Sequence, residues 1–400
     1  MIEKGFLGIK PIKFNEIEFI GDFYQTRMSS AYYLSKQFIQ NILYAAYHKA
    51  ITIKDIANLL AVDTNLVKDE VYHLEDNGFM DKVSEDKYIT NILIHDLPID
   101  ICEKRNKLFS EYANIVCKKY MPTLFNEFVG NAFIRSELDI EHLSKQGIYV
   151  PENDINFLMY SIVTLACCKN NVSHDILKHY IKRNDGSEYI AVASLHKSFL
   201  HDNSIDKYNT SGEIIITHHL QEVYPFVTWH YNTFYDSRRI DLRYISNHLF
   251  ECLYDFIIGR LKCNSDLLNQ SSLHKTTSID IFNNLLKHGF ITESFNKNTN
   301  YNVNMITSKM SMIDLLSMIP EPPDDFKEIN YNLYENIFNL CKDFYPEHRL
   351  DLFNDFCKNI HISGEVVSRV LEILLEKNML KQLTDSQKKT VNMILFLNSK

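Results

Sequence analysis

Two groups of side chains in this 400-residue chain have the types and spacing to do chemistry. The first is histidine. There are sixteen, and His196, His201, His218, His219 and His230 crowd into one stretch. A metal centre needs three or four converging ligands and a supporting shell of hydrogen bonds. No H-E-x-x-H spacing accompanies these histidines, and adjacent His218 and His219 would point to opposite faces of a strand. The eight cysteines include no C-x-x-C pair, and Cys167-Cys168 lies in an apolar stretch that predicts packing. Phosphate-loop and G-x-S-x-G patterns are missing. Arg238, Arg239 and Arg243 suit a phosphate or, more commonly, surface acids, and Trp229 with Phe226, Tyr231, Phe234 and Tyr235 suggests a local aromatic core. The expectation is no enzyme, no metal and no cofactor. The second group is Thr64, Asn65, Lys68 and Tyr72, with Lys82 and Lys87 further on. Amides and ammonium groups at helical spacing are the chemistry that reads base edges and phosphates.

The elements that would position the second group are written clearly. Phe38, Ile39, Ile42, Leu43 and Ala46 recur at helical spacing. Thr52-Ile-Lys-Asp55 has the form of a capping box and starts a helix with Ile53, Ile56, Ala57 and Leu60 inward. Asp63 is placed to cap a third helix over Thr64–Asp76, with Val67, Val71 and Leu74 inward and Gly78 ending it in the left-handed conformation. Strand-like runs Phe79–Val83 and Tyr88–Ile94 flank the turn Ser84–Lys87. Helix, helix, turn, helix, hairpin is the winged helix-turn-helix plan. The third helix would be about 20 Å long and fit a major groove about 12 Å wide.

The residues of this unit also carry a resemblance. Met28-Ser-Ser, Gln40-Asn-Ile-Leu-Tyr-Ala-Ala-Tyr47, Ile51-Thr-Ile-Lys-Asp-Ile-Ala57 and Val71-Tyr-His-Leu-Glu-Asp-Asn-Gly-Phe-Met80 resemble a bacterial regulatory family. Its members carry a winged helix and occur beside, or joined to, RNA polymerase sigma factors of the extracytoplasmic-function type. The later run Arg183–Ala191 is similar to another segment of that family, and the likeness is otherwise thin outside residues 28–94. No sigma-factor core is recognisable. The resemblance implies transcriptional regulation; it identifies neither a DNA sequence nor a partner.

Charge bears on both readings. The chain has 42 basic and 51 acidic residues, a net −9, which excludes a general polyanion binder and leaves only a local basic patch for nucleic acid. From Thr52 to Ile94, Lys54, Lys68, Lys82 and Lys87 stand against Asp55, Asp63, Asp69, Glu70, Glu75, Asp76, Asp81, Glu85 and Asp86. Lysine and arginine supply most non-specific DNA affinity, so a protein-docking role stays open for this unit. Two stretches are less acidic: residues 260–309, where basic residues exceed acids by three, and residues 351–400, where Lys388 and Lys389 fall in a proposed wing.

With only 11 glycines and 9 prolines, 45% apolar residues and ample length, the expected fold is mainly α with small β elements and several domains. Expected are an N-terminal arm (1–30), a winged helix-turn-helix (31–97), a helical region (98–184), a small β-containing element (185–244), a helical stretch with a second winged-helix-like unit (245–310) and another with a third (311–400). No signal-peptide core opens the chain, and the most apolar run, Phe157–Cys168, is too short to span a bilayer. The expectation is a soluble cytoplasmic protein with reduced thiols that contacts DNA, with a sigma factor or RNA polymerase as the other candidate partner. Membrane is not expected as a partner, and a dimer would be one route to a larger basic surface.

Overall fold

In the computed structural model the chain is mainly helical with small sheets. The structure describes residues 11–22, 27–129, 148–149, 155–168, 174–182, 188–195, 213–215, 227–230, 280, 283, 285–287, 291–293, 301–303, 306–308, 312–358, 365–383 and 393–396. In chain order the first elements are β1 (Glu16–Asp22), α1 (Arg27–Leu34), α2 (Gln37–Ala45), β2 (Ile51–Thr52), α3 (Ile53–Leu60), α4 (Thr64–Asp76), β3 (Met80–Lys82), β4 (Lys87–Thr90) and β5 (Leu93–His95). Then come α5 (Ile99–Lys119), α6 (Met121–Val129), β6 (Ile148–Tyr149), α7 (Ile155–Cys168), β7 (Ile181–Lys182), β8 (Glu188–Ser194), β9 (Glu213–Ile215), β10 (Val227–His230), β11 (Ile291–Glu293), β12 (Tyr301–Val303) and β13 (Ile306–Ser308). The last are α8 (Met312–Met318), α9 (Phe326–Cys341), α10 (Leu350–Lys358), α11 (Glu365–Glu376) and β14 (Met393–Phe396). Two compact units result. One comprises residues 1–109, 172–203 and 327–360; the other comprises residues 110–171, 204–326 and 361–400.

In the first unit, α2, β2, α3, α4, β3 and β4 follow one another, and β2, β4 and β3 form a three-stranded antiparallel sheet in that order. The local signals act as expected. Thr52 and Asp55 form the reciprocal capping box of α3, Asp63 accepts the Asn65 amide at 2.8 Å, and Gly78 takes φ 67° after α4. Val67, Val71 and Leu74 are fully buried against Ile39, Ile42, Leu43, Ile56 and Ala57. Burial of each such side chain contributes about 1.5–3 kcal/mol.

The same core runs on into a second sheet. Here β1 pairs antiparallel with β8 along its whole length, while β5 (parallel) and β7 (antiparallel) pair with successive parts of β8. Residues 16–22, expected as part of an arm, are thus a sheet strand, and the segment before them is also tied down. The Ile12 amide donates to Asn41 Oδ1 at 2.9 Å and the Phe14 amide to Gln40 Oε1 at 2.8 Å. The run Tyr88–Ile94 is not one strand. β4 ends at Thr90, and β5 leaves to join β8.

The stretch 185–244 is likewise not one element: β8 belongs to this sheet, whereas β9 and β10 belong to a five-stranded sheet ordered β6-β13-β14-β10-β9. In the second unit α7 is buried on nearly every side, which explains its continuous apolar run. Its Asn156 and Tyr160 side chains both donate to the Lys381 carbonyl, at 3.0 and 2.9 Å. The helix-then-hairpin order expected near 277–306 survives in part, as helical residues 280, 283 and 285–287 precede an antiparallel β11–β12 pair. No third hairpin forms among the described residues, and its expected turn, Thr384–Lys389, lies outside them. Residues 378–380 are a turn, and β14 pairs with β10 and β13 instead. Among the described residues no helix is long and apolar enough to cross a membrane.

One ionic lock in the first unit makes a testable stability claim. Asp355 on α10, almost fully buried, receives Lys178 Nζ at 2.6 Å, Lys358 Nζ at 2.8 Å and His179 Nε2 at 2.9 Å. Burial pushes its pKa up, but the hydrogen bonds from Lys178, Lys358 and His179 outweigh burial and hold it at about 2. A carboxylate depressed in the folded state stabilises at neutral pH and loses that contribution as pH falls from about 4 to 2. Asp355→Asn should therefore unfold about 2 kcal/mol more easily at pH 7, with the gap to wild type closing below pH 4. Urea titrations at the two pH values check this; a gap independent of pH would remove the lock.

Candidate nucleic-acid interface

Helix α4 turns Val67, Val71 and Leu74 inward and leaves Thr64, Asn65, Leu66, Lys68, Asp69, Tyr72, His73 and Asp76 exposed. Helical spacing sorts these. Thr64, Lys68 and Tyr72 stand one turn apart on the side of the β3–β4 hairpin, and Asn65, Asp69 and Asp76 follow the middle of the exposed face.

The hairpin side is joined by an aromatic bridge. Lys68 Nζ lies 5.6 Å from the Tyr72 ring centroid, and Tyr72 lies 6.4 Å from Tyr88 on β4. Lys82 Nζ on β3 lies 5.9 Å from the same Tyr88 ring. The register explains this, because Lys82 stands directly opposite Tyr88. Each contact is worth about 0.5–1 kcal/mol at an exposed site. The Tyr88 phenol is held protonated by burial and by the neighbouring Glu75 carboxylate. Lys87 opens β4, exposed, and its carbonyl closes the turn by accepting the Val83 amide at 2.9 Å. Of the six residues expected to form the interface, Lys68, Tyr72 and Lys82 are thus linked through Tyr88. Thr64 and Asn65 lie at the start of the same helix, and Lys87 lies on the same hairpin.

On the other side of α4 stands α1. Tyr33 donates its hydroxyl to Glu70 Oε2 at 2.5 Å, and its ring meets His73 edge-on at 4.4 Å. Burial and the Glu70 contact raise the Tyr33 pKa. Lys36 Nζ sits over both Tyr32 and Tyr33, at 5.6 and 5.1 Å from their centroids. The exposed face of α4 is therefore bracketed by two tyrosines, Tyr33 and Tyr88, each with a lysine against it.

The base of the hairpin is held from far along the chain. Arg349 Nη1 donates to Asn91 Oδ1 at 2.5 Å, and its Nη2 lies 3.9 Å from Asp81 Oδ2. Asn91 Nδ2 in turn donates to Asp81 Oδ1 at 2.9 Å. His348 Nε2 lies 3.1 Å from the Thr90 carbonyl, which can only accept, so Nε2 carries the proton. Burial lowers the pKa of both His348 and Arg349. The latch grips the chain at Thr90 and Asn91, where β4 ends and the chain turns toward β8. Tyr88 was legible in principle, as the cross-strand neighbour of Lys82; nothing local in the sequence marks His348 or Arg349.

The latch and caps give several of the acids specific partners. Of the nine acids between Thr52 and Ile94, Asp55 and Asp63 cap helices, Glu70 accepts from Tyr33, Asp81 is engaged by Asn91 and Arg349, and Glu75 lies beside Tyr88. Asp69, Asp76, Glu85 and Asp86 remain exposed, against exposed Lys54, Lys68, Lys82 and Lys87. With Asp55, Asp63 and Asp81, which also stay exposed and charged, the solvent-facing surface remains acidic, and Arg349 adds a cation to it from elsewhere in the chain.

Of the other chemistry considered, among the described residues no group of three or more His, Cys, Asp and Glu could hold a metal ion. His196, His201, His218, His219, Arg238, Arg239 and Arg243 lie outside the described residues, as do Lys388 and Lys389. Cys102, Cys117, Cys167, Cys341 and Cys357 are buried thiols. Comparison of the chain with protein-family profiles, with curated proteins and with solved structures finds no match.

The latch predicts a local effect. Replacing Arg349 with Met removes charge-assisted hydrogen bonds worth about 1.5–3 kcal/mol. Amides of Lys82 and Tyr88–Thr90 should then exchange hydrogen about tenfold faster or more, while those of Val67–Leu74 change little. Equal protection of the hairpin in both proteins would show that Arg349 does not hold it.

Proposed function

We propose that the chain is a non-enzymatic, cytoplasmic transcriptional regulator that binds duplex DNA through a winged helix-turn-helix in residues 31–97. On this reading α4 enters the major groove and the β3–β4 hairpin is the wing. The observation that carries it is the coupling of Lys68 and Tyr72 on α4 to Lys82 on the hairpin through Tyr88. That bridge joins α4 and the hairpin into one surface, as a base-reading helix and its phosphate-facing wing would require. The element order α2-β2-α3-α4-β3-β4 and the resemblance of residues 28–94 to sigma-factor-associated bacterial regulators support the same reading. Thr64, Asn65, Lys68 and Tyr72 would contact base edges and adjoining phosphates, and Lys82 and Lys87 the phosphates flanking the groove.

A second reading is favoured by Asp69, Asp76, Glu85 and Asp86, which stay exposed on the same surface. An acidic face can dock on a basic DNA-reading surface of a sigma factor or RNA polymerase.

Fluorescence anisotropy of the full chain with pooled genomic duplexes, at about 50 and 200 mM salt, tests the first reading. Binding should weaken steeply with salt. Joint replacement of Asn65 and Lys68 by Ala should cost about tenfold or more in affinity. Joint replacement of Lys82 and Lys87 by Ala should lower the salt slope by about two. No binding at the lower salt would sink direct DNA recognition and send the search to sigma factor and polymerase subunits.

A further inference from the structure

Within the DNA-binding surface proposed above, on which this inference rests, one residue is at odds with phosphate attraction. Asp69 lies one turn after Asn65, in the middle of the exposed face of α4, opposite the buried Val67, Val71 and Leu74. Its carboxylate is exposed and makes no hydrogen bond or ion pair among the described residues, unlike Asp55, Asp63, Glu70 and Asp81. Asp76 is seven residues further on, about 10 Å along the axis and in the last turn, where such a helix leaves the groove. Glu85 and Asp86 sit on the hairpin turn between Lys82 and Lys87. Asp69 alone is placed where base edges would be.

A carboxylate can only accept. In the major groove guanine presents two acceptors, N7 and O6, and thymine an acceptor and a methyl group. Adenine offers an N6 donor, but beside its N7 acceptor. Cytosine presents the N4 amine with no neighbouring acceptor of its own. We infer that Asp69 is a specificity residue that accepts a hydrogen bond from cytosine N4, and that it works by rejecting other bases as much as by holding cytosine. Close to the backbone its charge repels phosphates, so any base that fails to donate leaves the repulsion uncompensated. Asn65, one turn earlier, has the paired donor and acceptor that match adenine N6 and N7. Lys68 beside them supplies attraction without selectivity. The helix then reads by amide and carboxylate, and the lysines around it hold the duplex in place.

The test is selection of sites from a random duplex pool by the full-length wild-type protein, Asp69→Ala and Asp69→Asn. Asp69 is exposed mid-helix and Ala favours helix, and circular dichroism confirms that each variant is folded. Wild type should enrich a site with one required cytosine, and changing that base should cost about tenfold in affinity. Asp69→Ala should lose the preference at that position and bind the non-cytosine duplexes more tightly than wild type, because the repelling charge is gone. Asp69→Asn should shift the preference toward adenine. A residue needed only for folding would instead lower binding to every duplex alike. If Asp69→Ala keeps the wild-type preference at every position, the inference falls while sequence-selective DNA binding stands. If wild type binds DNA but selects no sequence, the inference falls and non-selective binding stands. If wild type binds no duplex, both readings fall.

Discussion

The first unit depends on strand β8. Its burial is nearly complete along its length, and it takes β1 on one edge while β5 and β7 share the other. Side chains alternate, so Tyr189, Ala191 and Ala193 face the core that holds Val67, Val71 and Leu74. Tyr189 is the hinge of that contact. It meets Phe19 edge-on at 5.2 Å and Phe79 at 6.4 Å, and its hydroxyl donates to Ser30 Oγ at 2.9 Å. The helices that present Asn65 and Lys68 are therefore built on a sheet, and their core continues into it. A small helical unit of this size would bury little surface alone; β8 supplies the rest of its apolar cover.

Reading the sequence captured the parts of this unit that are set locally. The bounds of α4, the capping box at Thr52, the Asp63 cap and the left-handed Gly78 all follow from residue type and spacing within a few positions. That Thr64, Asn65, Lys68, Tyr72, Lys82 and Lys87 face solvent was legible for the same reason, since helix periodicity and hairpin register decide which side chains point outward. What was not legible depends on partners far away in sequence. Ile94 looks like the continuation of a strand from Tyr88, and only its parallel pairing with Ala193 shows otherwise. Val391–Leu397 has the composition of a hairpin strand, yet its partners come from β10 and β13. Period-two alternation identifies a strand but not its neighbour.

Net charge gives the sign of this surface but not its pattern. A count of residues weights a capping aspartate and a solvent-facing one equally. In the folded unit, Asp55, Asp63, Glu70 and Asp81 are each spent on a specific donor, and Arg349 arrives from outside the counted segment. The pattern on α4 and the hairpin is Lys68, Lys82 and Lys87 interleaved with Asp69, Asp76, Glu85 and Asp86, with the exposed Asp55, Asp63 and Asp81 beside them. On a mixed surface of this kind, each charge that meets a like charge carries its own cost.

The first unit is assembled from three separate stretches of chain, the last ending at residue 360. His95 Nδ1 and the Tyr345 hydroxyl are 2.6 Å apart although 250 residues separate them in sequence. During synthesis the α2–β4 segment emerges early, but β8 and the His348–Arg349 latch follow only after many more residues. At about 5–20 residues per second the wait is on the order of tens of seconds. The apolar face that will meet Tyr189 waits less, about 5–20 s, for β8. The surface that carries α4 becomes complete only when most of the polypeptide has been made, so truncated products would not display it in finished form.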